Sequence, residues 1–204
     1  SIIEYNIDAI LVTDPSQNFD VVHYTGSFGS ILLLSDSTHF LTDKRYIDQS
    51  EKEIDKDVNV NICQNSLHDA LVDKINKLSI KKLAILENYI TYNSVVELQK
   101  RIPSLEILPF EEKIIPVIYR KTDDEIIGLT HSLTIVEQGI EETITKIDDI
   151  ETEHEFSGEL QIQILRKSAD EIAFSPIIAW EANSAYPHHQ ADETIIIGSG
   201  KLLL

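Results

Sequence analysis

The sequence predicts an α/β fold with a mixed sheet over residues 1–117, followed by an α+β region, two helices and then strands, over residues 118–204. Three observations carry this. Up to Phe110, short apolar runs of strand length alternate with amphipathic stretches of helix length, the pattern of an α/β sheet. From Thr122 the apolar period becomes helical and stays so for about six turns. Between the two, Pro109 and Pro116 bracket Glu111 to Ile115, which places the junction near Val117.

Taken in order, Ala9 to Thr13 is a buried strand ending in a turn at Asp14-Pro-Ser. Phe19 to Tyr24 is a short amphipathic piece closed by Gly26 and Gly29. Ile31 to Leu34 and His39 to Thr42, separated by Ser35-Asp-Ser, read as a hairpin. Tyr46 to Ile54 is a polar helix and Val58 to Cys63 a strand. Ser66 caps a helix whose Leu67, Ala70, Leu71, Ile75 and Leu78 share one face, with Asp69 early and Lys74 and Lys77 late to suit the helix dipole. Leu83 to Leu86 is a strand, and Thr91 or Asn93 caps the next helix, which Pro103 ends. Leu105 to Phe110 is the last strand of this half.

In the second half, Thr122-Asp-Asp-Glu125 fits a capping box. Ile126, Leu129, Leu133, Val136, Ile140, Ile144 and Ile147 then form one apolar stripe, which predicts a single long helix. Thr152-Glu-His-Glu155 offers a second box, opening a helix with Phe156, Leu160, Ile164 and Leu165 that ends at Arg166-Lys-Ser. Pro176 to Trp180 reads as an apolar strand, and Lys201 to Leu204 as another.

The 42% hydrophobic and 25% charged content is that of a globular protein. No apolar run approaches the roughly 18 residues of a membrane span. Ser1-Ile-Ile-Glu-Tyr lacks the features of a secretion signal, so a cytoplasmic location is the expectation. Cys63 is the only cysteine, which rules out an intrachain disulfide, and its alternating surroundings make it a small buried hydrophobe. The net charge is −18. Residues 1–117 carry 18 acids against 11 bases, and residues 118–204 carry 17 against 6. Such a field repels phosphate backbones and excludes direct nucleic-acid binding. It favours cationic partners, or simply keeps a solvated surface.

Gly198-Ser-Gly-Lys201 lacks the spacing and the following hydroxyl of a phosphate loop, and leads into a strand; it reads as a turn. Glu151, His154 and Glu155 have metal-ligand types at helical spacing, but a solvated acidic helix face accounts for them. His23, His39, His68 and His131 are scattered and read as structural. The stretch Phe174 to His189 differs: an apolar run breaks at Glu181-Ala-Asn-Ser and then presents His188 and His189 after a proline. Locally these are either exposed loop histidines or proton carriers poised near neutral pH.

Several segments share a resemblance. Tyr119-Arg-Lys-Thr-Asp-Asp-Glu-Ile126 resembles the entry helix of the creatinase/prolidase/aminopeptidase P family, and Ile150-Glu-Thr-Glu-His-Glu-Phe156 resembles its second helix start. Ala173-Phe-Ser-Pro-Ile-Ile-Ala179 with Asn183-Ser-Ala-Tyr-Pro-His188 is similar to the family's strand and proline-histidine loop. His23-Tyr-Thr-Gly26 and Leu41-Thr-Asp-Lys-Arg-Tyr46 resemble motifs of its N-terminal half.

The resemblance implies a three-layer creatinase-type domain at 1–117 and the start of a pita-bread catalytic domain at 118–204. It implies hydrolysis of the bond preceding proline by two divalent metal ions, manganese, cobalt or zinc, acting on proline-containing peptides, commonly in a homodimer. The family's metal ligands, two Asp, one His and two Glu, follow the strand that Lys201 to Leu204 matches, so no metal site and no activity are expected of these 204 residues alone. His188 aligns with the family's catalytic histidine, and His189 is the second candidate, for substrate binding. Asp149 and Glu181 stand where the family usually has glycine, and a side chain at Glu181 disfavours the backbone angles glycine permits. A non-catalytic protein on the same scaffold, holding a basic partner by its acidic surface, is the alternative; creatinase-like hydrolysis is a lesser one.

Overall fold

The structure is a computed structural model and describes residues 4–118, 120–196 and 202–203. The predicted turn at Gly198 to Lys201 lies outside the described residues, as do the ends of the predicted last strand. The chain divides between Arg120 and Lys121 into two compact units.

In the first unit, β1 (Ala9–Val12), β2 (Ser30–Leu33), β3 (Thr38–Asp43), β4 (Asn59–Cys63), β5 (Lys82–Ile85) and β6 (Glu106–Pro109) form a sheet of order β4-β3-β2-β1-β5-β6. The β1–β2 and β2–β3 pairs are antiparallel, and β3–β4, β1–β5 and β5–β6 are parallel. The sheet is therefore mixed, as expected. Strand alternation explains why it is buried on both sides. Leu11, Leu32, Leu41 and Leu83 join a core with Leu71, Ile75 and Leu98. Their neighbours Ile10, Val12, Ile31 and Phe40 join a second core with Tyr24 and Phe110 on the opposite face.

The helices of this unit are α1 (Pro15–Val22), α2 (Ile47–Glu53), α3 (Leu67–Lys77), α4 (Tyr92–Arg101) and α5 (Glu111–Ile118). Asp14-Pro-Ser is a helix start where a turn was expected: the Asp14 carboxylate accepts from the Ser16 N–H at 3.0 Å, with proline at the position where its missing N–H costs nothing. Ser66 and Thr91 cap α3 and α4 by accepting from Asp69 and Ser94 N–H groups at 3.0 and 3.2 Å. Pro116 does not bracket α5 but lies within it. So late in a short helix, it withholds only one donor from the ladder.

In the second unit, α6 (Asp123–Ile144) and α7 (Glu153–Arg166) both begin with complete capping boxes, at Thr122/Glu125 and Thr152/Glu155. The α6 helix stops short of Ile147, where a 3₁₀ turn begins. Most of its predicted stripe is not its packing face: Ile126, Leu129, Leu133, Val136 and Ile144 are exposed, and only Ile140 and Ile147 of the stripe pack against the core, beside the buried Ile135, Gly139 and Thr143. Gly139 supplies the reason, since a Cβ there would lie 2.7 Å from Ile164 Cγ1. Close helix approach selects the face with the small residue over the face with the larger apolar area. The predicted strand at Pro176 to Trp180 shrinks to β7 (Ala179–Trp180), which pairs antiparallel with β8 (Leu202–Leu203). Ile178 and Trp180 still enter the core of this unit with Phe156, Leu160 and Ile164.

Candidate functional site

The site is built around an acid that the helix pattern conceals. Glu153 is the first residue of α7 and shares a face with Phe156, Leu160 and Ile164, at positions where apolar side chains belong. Its side chain is fully buried. A buried carboxylate is costly unless donors converge on it, and here they do. Oε1 accepts from the Trp180 N–H at 2.5 Å and the Asn183 side-chain amide at 3.0 Å. Oε2 faces His189 Nε2 at 2.6 Å and the Asp192 N–H at 3.4 Å. The backbone secures the same junction, with Glu153 and His154 N–H groups donating to Thr194 and Asp192 carbonyls and Ile196 donating to Glu151.

Burial alone would raise the Glu153 carboxyl, but the hydrogen bonds from His189, Asn183, Trp180 and Asp192 outweigh it and hold it below the ordinary carboxylate value. The group stays charged, at the N-terminus of α7, where the helix dipole favours an anion.

The two sequence candidates part company here. His188 is exposed, and its ring makes no hydrogen bond among the described residues. His189 is turned inward, its side chain 11% exposed against Glu153. Glu181 adopts the left-handed region with φ 52°, the conformation that a glycine would take without cost. Glu151, His154 and Glu155 do not gather: the Glu155 carboxylate is occupied by the N–H groups of Glu151 and Thr152. Cys63 is buried, and burial pushes its thiol up, away from nucleophilic use. Two cavities, of about 290 and 650 Å³, lie one in each unit, and neither is lined by His188 or His189.

Sequence reasoning named His189 but missed Glu153, Asn183 and Asp192. The signal was present: Glu153 stands three residues before Phe156 and seven before Leu160, an acid on an apolar stripe.

With this geometry in view, the comparisons with known proteins are informative. Residues 2–117 match the creatinase/prolidase N-terminal domain, more than half the chain, and residues 128–204 match metallopeptidase family M24. The chain belongs to the creatinase/prolidase family. It is 25% identical over 193 residues to an uncharacterized peptidase, YqhT, of Bacillus subtilis, covering 95% of this chain and 54% of that one. An Xaa-Pro dipeptidase from Bacillus anthracis shares 26% identity and superposes with a TM-score of 0.89, over 98% of this chain and 56% of its own. An X-Pro aminopeptidase from Thermotoga maritima, 24% identical, has the same fold with a TM-score of 0.90, over 97% and 57% of the two chains. The creatinase/prolidase chain described here thus spans little more than half the length of these relatives.

The metallopeptidase family that residues 128–204 match implies divalent metal ions. Among the described residues, the one group of three or more His, Cys, Asp or Glu ligand atoms lying within 4.8 Å of one another is Glu153, His189 and Asp192. It does not fit a metal centre. Both Glu153 oxygens already face two N–H donors each, which uses the roughly four acceptor sites of a carboxylate. The Asp192 Oδ1 accepts from the Thr194 N–H at 2.8 Å. The group is a hydrogen-bond hub. No helix among the described residues is long and apolar enough to cross a membrane.

Proposed function

We propose that this chain serves metal-dependent hydrolysis of the peptide bond preceding proline, with residues 1–117 as the creatinase-like N-terminal domain and residues 118–204 as the opening part of the peptidase domain. The observation that carries this reading is the likeness to the Xaa-Pro dipeptidase along 98% of the chain, joined to an exposed His188 on a loop fixed at a buried carboxylate. Proline-containing peptides are the proposed substrates, a homodimer the proposed assembly and the cytoplasm the proposed location. Manganese, cobalt or zinc is the proposed metal, supplying the activated water of such hydrolases.

What these residues contribute is the imidazole of His188. A neutral imidazole can donate its N–H to a carbonyl oxygen and stabilise negative charge developing there. The described residues offer no fitting metal cradle, so the chain by itself is proposed to be inactive. A binding protein on the same scaffold is the second reading, favoured by the 17 acids against 6 bases in residues 118–204 and by Glu181 in a glycine-like conformation.

Two assays test the peptidase reading. The pure 204-residue chain, given an Xaa-Pro dipeptide and manganese, is expected to show no turnover; measurable turnover overturns the inactivity. In a longer polypeptide carrying the remainder of an M24 domain, turnover is expected, and His188→Ala should lower it by roughly 10²-fold, the scale for loss of one donor to a developing oxyanion, with metal content unchanged. An unchanged rate removes His188 from the site.

A further inference from the structure

Between Trp180 and Thr194 the chain has almost no regular structure beyond a 3₁₀ turn at Glu181–Ala185. A segment of this kind is ordinarily mobile, and its apolar anchoring is slight, Trp180 at one end and the half-buried Ala191 near the other. Yet four of its N–H donors, from Trp180, Asn183, His189 and Asp192, converge on the single carboxylate of Glu153. The Asn183 amide also donates to Thr194 Oγ1 at 3.1 Å, tying the start of the loop to its end. Inside the loop, Tyr186 N–H donates to the Asn183 carbonyl at 3.0 Å and His189 N–H to the Tyr186 carbonyl at 3.1 Å, two consecutive tight turns.

His188 sits inside this bracket. Pro187 before it has its φ fixed by the ring, and His189 after it has its side chain held at 2.6 Å by a fully buried acid. An apolar residue at position 153 would fill the same space on the α7 face but could not hold four donors. A buried charge is retained only where its partners repay desolvation, and all of these partners belong to the loop that carries His188.

We propose that Glu153 and His189 are positioning residues for His188: the buried carboxylate gathers the 180–192 loop, and the His189 ring bound to it sets the direction in which the adjoining His188 imidazole is presented to substrate. The proposal rests on the reading of His188 as the substrate-facing group. It makes His189 a residue that acts through its neighbour and does not touch substrate. Nε2 of His189 is then the protonated nitrogen, donating to Glu153 Oε2.

The test uses the ¹⁵N-labelled 204-residue chain in solution. The wild-type spectrum should show His189 as the Nε2–H tautomer with a slowly exchanging ring proton, and backbone order parameters of residues 183–189 near 0.85, the rigid range. In His189→Ala and Glu153→Gln the order parameter at His188 should fall below about 0.6, the flexible range, with the amide signals of α6 and α7 in place. His189→Gln, whose side-chain amide can donate where Nε2 does, should restore most of the order, which a role in filling space would not predict. Should Glu153→Gln fail to fold, the His189 pair decides. Unchanged order at His188 in His189→Ala, or a mobile His188 in the wild type, overturns the proposal. The peptidase reading fails separately: if His188→Ala in the longer polypeptide leaves turnover unchanged, His188 is not the reacting group, whatever the spectra show of the loop.

Discussion

The two units of this chain reach order by different means. In the first, the sheet is sealed on both faces by apolar side chains, and the strand pattern alone says which residue goes to which face: Leu11, Leu32 and Leu41 one way, Ile10, Ile31 and Phe40 the other. In the second, most of the large apolar residues of α6 are exposed, the helix pair closes through Gly139, and the loop bearing the candidate histidine is secured by a buried charge. Hydrophobic burial is non-directional and tolerates many loop paths. A carboxylate that receives four directed N–H donors admits one. The first unit shows how a scaffold is made stable, the second how an irregular loop is given a single conformation.

The largest expected effect breaks the first half of that comparison. Phe40 is fully buried, its ring 4.6 Å from that of Tyr24, and a Cβ at Gly29 would lie 2.4 Å from its tip. Phe40→Ala should destabilise the chain by about 3–5 kcal/mol, the transfer and cavity costs of an aromatic core deletion. Denaturant unfolding followed by the fluorescence of Trp180, in the other unit, and by far-ultraviolet circular dichroism would show whether the loss is confined to the sheet. A loss under about 1 kcal/mol would contradict the sealed core.

The middle effect addresses the second half and is a matter of pH. The Glu153 carboxyl lies below its ordinary value in the folded chain, so the unfolded chain binds the proton more tightly. The stabilisation is therefore complete above the ordinary glutamate pKa of about 4.3, and is lost as pH falls from there through the lower folded value. Glu153→Gln should remove about 2 kcal/mol at neutral pH, the scale of a hydrogen bond to a charged group. The variant and the wild type should converge as the solution is acidified over that window. Parallel stability profiles for the two would show that the hub is not what titrates.

The same division governs what could be read from the sequence. The sheet domain was legible nearly strand by strand because period-2 burial and helix caps are local signals; even the misread Asp14-Pro-Ser erred only between two uses of the same residues, a turn and a helix start. The α6 packing face was misread because the apolar stripe from Ile126 to Ile147 outweighs, by any pattern measure, a face marked only by Ile135, Gly139 and Thr143. Backbone proximity, which Gly139 permits, leaves no hydrophobic signature. His188 and His189 were legible as a pair, but which one points inward was not, because the answer depends on Glu153, 36 residues away from His189.

The smallest expected effect has the opposite sign and sharpens the contrast between directed and apolar anchoring. Glu181 follows Trp180, whose N–H is fixed on Glu153, and it takes a φ of 52°. The left-handed region costs a residue with a Cβ about 1–2 kcal/mol, and the exposed Glu181 side chain makes no hydrogen bond or ion pair among the described residues to offset that. The strain persists because the Trp180 and Asn183 bonds to Glu153 dictate the path of the two residues between them. Glu181→Gly should relieve it, less the extra chain entropy glycine loses on folding, and so raise stability by about 0.5–1 kcal/mol in thermal unfolding. If the hub imposes the angle, the gain should vanish in a Glu153→Gln background, where the loop is free to relax around a glutamate; an equal gain in both backgrounds would place the origin of the strain in the turn itself.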